Sequence, residues 1–155
     1  MHEPETDMNS PLEIVRGVYE KLPFNRLLGL KVSYLRTDGG GFNFFMKNDL
    51  IGNFVHGILH GGVISAVLDA TGGMTATASA VERMQGLSSE EIANRIARIG
   101  TIDMRIDYLR PGRGTRFLSI GTVMRTGRKV AVTRMELKNQ ENVLIAVGTG
   151  AYIIG

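Results

Sequence analysis

Residues 53–80 begin Asn53-Phe-Val-His-Gly-Ile-Leu-His60-Gly61-Gly62-Val-Ile-Ser65-Ala-Val-Leu-Asp69 and run on through small and apolar residues to Ala80. From Gly62 onward there is no proline, and alanine, valine, leucine, isoleucine and methionine fill most positions. A helix apolar on nearly every face is normally wrapped by the rest of its domain, so 62–80 is the expected core helix. One carboxylate, Asp69, lies inside it, where burying charge is costly. Spacing by three and four puts Gly62, Ser65, Asp69, Gly72 and Gly73 on one narrow face of small and polar residues. Each mid-helix glycine costs about 1 kcal/mol against alanine, so Gly72 and Gly73 predict a close approach to the backbone, by a ligand or by a partner helix.

The start of this helix has its own chemistry. Unpaired N–H groups at a helix N-terminus attract negative charge, and Gly61 and Gly62 put no side chain in the way. Asp69 lies eight residues past Gly61, about 12 Å along a helix. A carbonyl held at Gly61 and a water held at Asp69 must come within about 3 Å to react, which one helix cannot arrange. Two antiparallel copies can, so an active site built on these residues requires a dimer with composite sites.

Further residues extend the pattern. His60-Gly61-Gly62, six residues and then Asp69 are followed some thirty positions later by Thr101-Ile-Asp-Met-Arg-Ile-Asp-Tyr-Leu-Arg-Pro-Gly112, and then by Arg125-Thr-Gly-Arg-Lys-Val-Ala131. This ordered set resembles the hotdog-fold acyl-CoA thioesterases of the phenylacetate-thioesterase-like branch, over about residues 24–154, and most of all the bacterial enzymes acting on medium- and long-chain acyl-CoA. The resemblance implies an α+β hotdog fold, a curved six-stranded antiparallel sheet around a central helix. It also implies acyl-CoA hydrolysis to free acid and CoA, with coenzyme A as part of the substrate and no cofactor.

The rest of the chain fits that order. Its 155 residues suffice for one core, with residues 1–10 a flexible lead and 11–155 a single domain. The absence of cysteine excludes a disulfide scaffold, a Cys-zinc site and a thiol nucleophile. The acidic start lacks the pattern of a signal peptide, and no apolar run reaches membrane-spanning length, so a cytoplasmic protein with no membrane contact is expected. Ser10-Pro11 opens a helix that Pro23 stops and that should lid one end of the sheet. Extended runs at 28–36 and 41–47 flank Thr37-Asp-Gly-Gly-Gly41, read as a hairpin turn. Ser88-Ser89-Glu90-Glu91 is an N-cap signature for a short amphipathic helix at 89–98, read as a surface helix. From 101 the period becomes two, with runs at 101–108, 115–125, 129–138 and 143–153. Two strands, a buried helix and four strands make an α+β chain.

Charge is uneven. Residues 95–134 carry ten Lys/Arg against Asp103 and Asp107, a local net of plus eight in a chain of net plus three. Arg110 and Arg113 flank one turn, Arg128 and Lys129 another, and loop cations suit phosphate; the resemblance assigns them to coenzyme A. Solubility is the plain alternative for each. Nucleic acid is disfavoured because aromatics are sparse among the basic residues.

The resemblance makes Asp69 the water-activating acid, as base, water-orienter or nucleophile, and Gly61 the oxyanion donor. Thr101 helps place water or the carboxylate. His60 reads as a cap and packing residue before a base. Asn53 falls one residue short of the family's spacing, where Phe54 stands, and otherwise is a loop residue. The His56/His60 pair lacks a metalloprotease glutamate, so no metal is expected. Apolarity alone suggests Phe42, Phe44, Phe45, Leu50 and Met74 for the acyl chain. Two other functions fit the fold: a dehydratase or hydratase using His60, whose signature aspartate five residues before a histidine is missing, and a non-catalytic acyl-CoA-binding protein. A dimer, and from it a tetramer, is the expected assembly.

Overall fold

The computed structural model describes residues 9–155, so the expected flexible lead lies, through residue 8, outside the described residues. Helix α1 (Pro11–Lys21) starts where Ser10 caps the Glu13 N–H with Pro11 at its first position. It does not hand over to a strand. Pro23 starts a second helix, α2 (Pro23–Leu28), which ends on Gly29 at φ 75°, the left-handed conformation that favours glycine. Buried Asn25 ties α2 back to α1 by donating to the Tyr19 carbonyl at 2.9 Å.

Strands β1 (Lys31–Arg36) and β2 (Gly39–Phe45) form the expected hairpin, but the turn is only Thr37 and Asp38. Gly39, Gly40 and Gly41 are strand residues. They are glycines for want of space: a Cβ on Gly41 would stand 2.5 Å from the Ser119 carbonyl oxygen, and one on Gly40 2.7 Å from Leu35 Cδ1. The loop before the core helix contains a small ribbon, β3 (Ile51–Asn53) with β4 (Ile58–Leu59). Helix α3 (Gly61–Ser79) follows, then α4 (Ser89–Ile96) under a complete Ser88/Glu91 capping box, which draws the Glu91 carboxyl below its ordinary range. Helix α4 packs on α1 and buries Ile92 and Ile96 in the core, so it is a structural part of the domain rather than a surface appendage.

Strands β5 (Gly100–Tyr108), β6 (Arg116–Thr126), β7 (Val130–Asn139) and β8 (Leu144–Ile153) complete one antiparallel sheet in the order β1-β2-β6-β7-β8-β5. It curves around α3, whose Val67, Leu68, Thr71, Met74 and Ala78 are fully buried. The expected close approach at Gly72 comes from within the chain: a Cβ there would lie 2.1 Å from the Tyr152 hydroxyl of β8.

The two sheet edges differ. On β1, Glu20 of α1 accepts the Val32 N–H at 2.9 Å and Arg16 donates to the Val32 carbonyl at 3.4 Å, which blunts that edge. On β5, which pairs only with β8 among the described residues, Ile102 and Tyr108 are more than half exposed. The apolar face expected for β5 is broken by an irregularity between Thr101 and Asp103, which turns Ile102 outward. No helix among the described residues is long and apolar enough to cross a membrane.

Candidate active site

Asp69 sits halfway along α3, partly exposed, and Thr101 at the start of β5 donates its hydroxyl to Asp69 Oδ1 at 2.7 Å. The bond fixes one carboxylate oxygen and leaves Oδ2 for a water. Both residues line a cavity of about 400 Å³ with Tyr19, Phe24, Gly73 and Tyr152. Two buried phenols, Tyr152 and Tyr19, lie close enough to feel the Asp69 charge. Burial, reinforced by the Asp69 charge, pushes the Tyr152 hydroxyl well up; it donates to the Asp69 carbonyl at 3.4 Å. Burial pushes the Tyr19 hydroxyl up to about 12 against the lowering effect of its 2.9 Å hydrogen bond with Thr77. Both therefore stay neutral.

Gly61, the first residue of α3, lies in a different cavity of about 350 Å³, with Tyr108, Leu109, Arg110 and Gly112. Tyr108 donates its hydroxyl to the Gly61 carbonyl at 3.1 Å and so orients that peptide. A Cβ on Gly61 would meet only the Tyr108 ring, at an ordinary 3.5 Å. Nothing among the described residues of the protomer requires glycine at this position. At Gly62 the requirement is internal, because a Cβ would stand 2.9 Å from His60 Nδ1.

His60 caps α3: its Nδ1 accepts the Gly62 N–H at 2.8 Å, which leaves Nε2 as the ring nitrogen turned away from the helix. The Asn53 carboxamide oxygen accepts the Val55 and His56 N–H groups at 3.1 and 3.2 Å. That is a local turn, and Asn53 does not line the Asp69 cavity. Arg110 donates to the Leu144 carbonyl at 3.0 Å and Arg113 to the His56 carbonyl at 3.4 Å. Arg128 and Lys129 are exposed in the β6–β7 turn, next to Val130, which pairs with Ile153, itself the partner of Gly100. The two basic clusters thus stand at opposite ends of the nine-residue β5, roughly 26 Å apart along it. One protomer gathers Asp69, Thr101, Arg128 and Lys129 toward one end and Gly61 and Arg110 toward the other.

The acyl-lining residues expected from apolarity are mostly sheet core. Phe42, Phe44 and Met74 are fully buried, Phe44 stacks on Phe117 at 5.1 Å, and Phe45 points to solvent. Leu50 lines a cavity beside His60 and Val63, whereas Phe45 borders only a separate one with Asn43, Arg116 and Leu118. Sequence reasoning missed Tyr108, taken only as an apolar strand position, and Phe24, whose helix is too short to show a period.

This sheet and its enclosed helix match a known class. The chain belongs to the thioesterase superfamily, whose model matches residues 56–146; it is a thioester hydrolase. Among its relatives is the Escherichia coli (strain K12) medium/long-chain acyl-CoA thioesterase YigI, 42% identical over 134 residues that make up 86% of each chain. A crystal structure from Shewanella oneidensis, described as related to the thioesterase superfamily, superposes with a TM-score of 0.86 at 47% identity, covering 93% of this chain and 95% of that one. A structure from Syntrophus aciditrophicus gives 0.80 at 41% identity over 92% and 95%.

Proposed function

We propose that the protein hydrolyses medium- to long-chain acyl-CoA thioesters to free acid and CoA, in the cytoplasm, at composite sites between two antiparallel copies. The observation that carries this is Asp69 held by Thr101 in an open cavity, with the glycine N-terminus of the same helix turned to another. The substrate class rests on the likeness to YigI. The second copy is supported by the open β5 edge and by Gly61, whose missing side chain none of the described residues of its own protomer requires.

In this mechanism Asp69 Oδ2 takes a proton from a water as the water oxygen bonds to the thioester carbonyl carbon. The carbonyl oxygen, becoming negative, accepts the Gly61 N–H of the other copy. Collapse of the tetrahedral intermediate breaks the carbon–sulfur bond, and the proton passes from Asp69 to the departing CoA thiolate. Water supplies the nucleophile, and no cofactor enters. Antiparallel pairing also sets the Arg110 and Arg113 end of one copy beside the Arg128 and Lys129 end of the other, so both clusters face one CoA. Two such dimers form a tetramer.

The test is thiol release by wild type and Asp69→Ala from acyl-CoAs of butyryl to stearoyl length plus one aryl-CoA, with circular dichroism on both. Hydrolysis by the wild type alone, with both folded, is expected. Equal inertness with acyl-CoA still bound would make the protein a binding module instead.

A further inference from the structure

Helix α2 exposes large apolar side chains beside its one exposed cation, Arg26. Leu22, just before it, and its own Phe24 and Leu27 are 39%, 57% and 64% exposed, a cluster that marks a contact surface. Leu22 and the start of this helix, Pro23 to Asn25, line the Asp69 cavity. The last turn of the helix lines a second cavity of about 300 Å³, walled by Leu27, Leu28, Leu50 and Val63 and bounded by Asp49 and His60. Among the described residues Phe24 alone lines both. The floor is continuous, because Gly62, Val63, Ala66, Asp69, Ala70 and Gly73 fall on one stripe of α3 at spacings of three and four. Small side chains along that stripe leave room over the helix.

We propose that Phe24 is the chain-length determinant of the protein: the acyl group leaves the carbonyl at Asp69, runs along α3 beneath α2, and is stopped or passed at the Phe24 ring before the second cavity. The assignment rests on the acyl-CoA reading above. Pro23 and Gly29 fix the two ends of α2, and Asn25 anchors it to α1, so the ring stands on a pinned wall with its outer part in solvent. Both cavities have the size and apolar lining of small-molecule sites. The chain is recognised by desolvation alone, so each further methylene accommodated raises kcat/KM roughly fourfold.

The test is the chain-length profile of kcat/KM, butyryl- to stearoyl-CoA, for wild type, Phe24→Ala and Leu27→Trp. Both sites are exposed, so the fold should tolerate either change. Phe24→Ala is expected to move the optimum to longer chains, and Leu27→Trp, which fills the second cavity, to shorten it while short-chain turnover persists. The same series as non-hydrolysable acyl-CoA thioethers, read by calorimetry, tests the wall without turnover. An inert wild type whose thioether affinities still shift with Phe24→Ala would overturn the hydrolytic reading and keep the wall. Identical profiles in all three proteins, by kinetics and by binding, would overturn the wall itself.

Discussion

Thr101 Oγ1 and Asp69 Oδ1 meet at 2.7 Å across 32 positions of sequence, tying the open edge strand to the middle of the buried helix. The bond aligns the carboxylate as well as joining two elements. Thr101→Val, which keeps the shape and removes the donor, should lower kcat roughly 10- to 100-fold, the worth of a hydrogen bond to a charged group, with KM little changed. Thr101→Ser should retain most of the rate. Steady-state kinetics on one good substrate decides it, and an unaltered kcat in Thr101→Val would mean that Asp69 needs no alignment.

Gly61 offers a separation of stability from function. Since a Cβ there finds only ordinary contact with Tyr108, Gly61→Ala should change the unfolding free energy by no more than about 1 kcal/mol, and Gly61→Val, with two further methyls, is the bulkier probe. It should nevertheless cost at least about 100-fold in kcat/KM, by crowding the N–H that meets the oxyanion. Thermal melts beside kinetics check this, and a fully active Gly61→Val removes Gly61 from the site.

Gly72 should behave in the opposite sense. Its Cβ would stand 2.1 Å from the Tyr152 hydroxyl, so Gly72→Ala should destabilise by about 1–3 kcal/mol through overpacking. Combining it with Tyr152→Leu should cost less than the two single losses added together. Denaturant titration of the four proteins gives the coupling directly, and strict additivity would show that the two residues do not compete for space.

The Tyr19 hydroxyl gives a pH signature. Its pKa rises from 10.0 unfolded to about 12 folded, because burial disfavours the phenolate. A raised folded pKa leaves stability intact below pH 10 and removes it as pH climbs toward 12, by about 2–3 kcal/mol for this one group. The fall in Tm between pH 10 and pH 12 should therefore be smaller in Tyr19→Phe than in wild type. Parallel curves would mean the phenol is not protected in the fold.

Much of the fold was legible because its strands alternate and its central helix does not. The runs 101–108, 115–125, 129–138 and 143–153 fall within one or two residues of β5 to β8, and α3 begins one residue before its expected start. What escaped was set by tertiary space. Gly39 to Gly41 look like a turn by composition, yet they are strand residues pressed against Ser119, Leu35 and Gly121. Helix α2, six residues between a proline and a glycine, has no room for a helical period, so Phe24 could not be linked to Asp69. The pairing of Thr101 with Asp69 came from the family resemblance and not from spacing. The role of Tyr108 needed the register of β5 against α3, which no local pattern encodes.

Whether the site is shared between two copies is tested most directly by mixing two inactive proteins. Asp69→Ala and Gly61→Val, each inert alone, are unfolded together and refolded. Random pairing puts both defects in one site of each heterodimer and leaves the other intact, so about a quarter of wild-type activity should return. A mixture as inert as its components would contradict the composite site and place Asp69 and its oxyanion donor within a single chain.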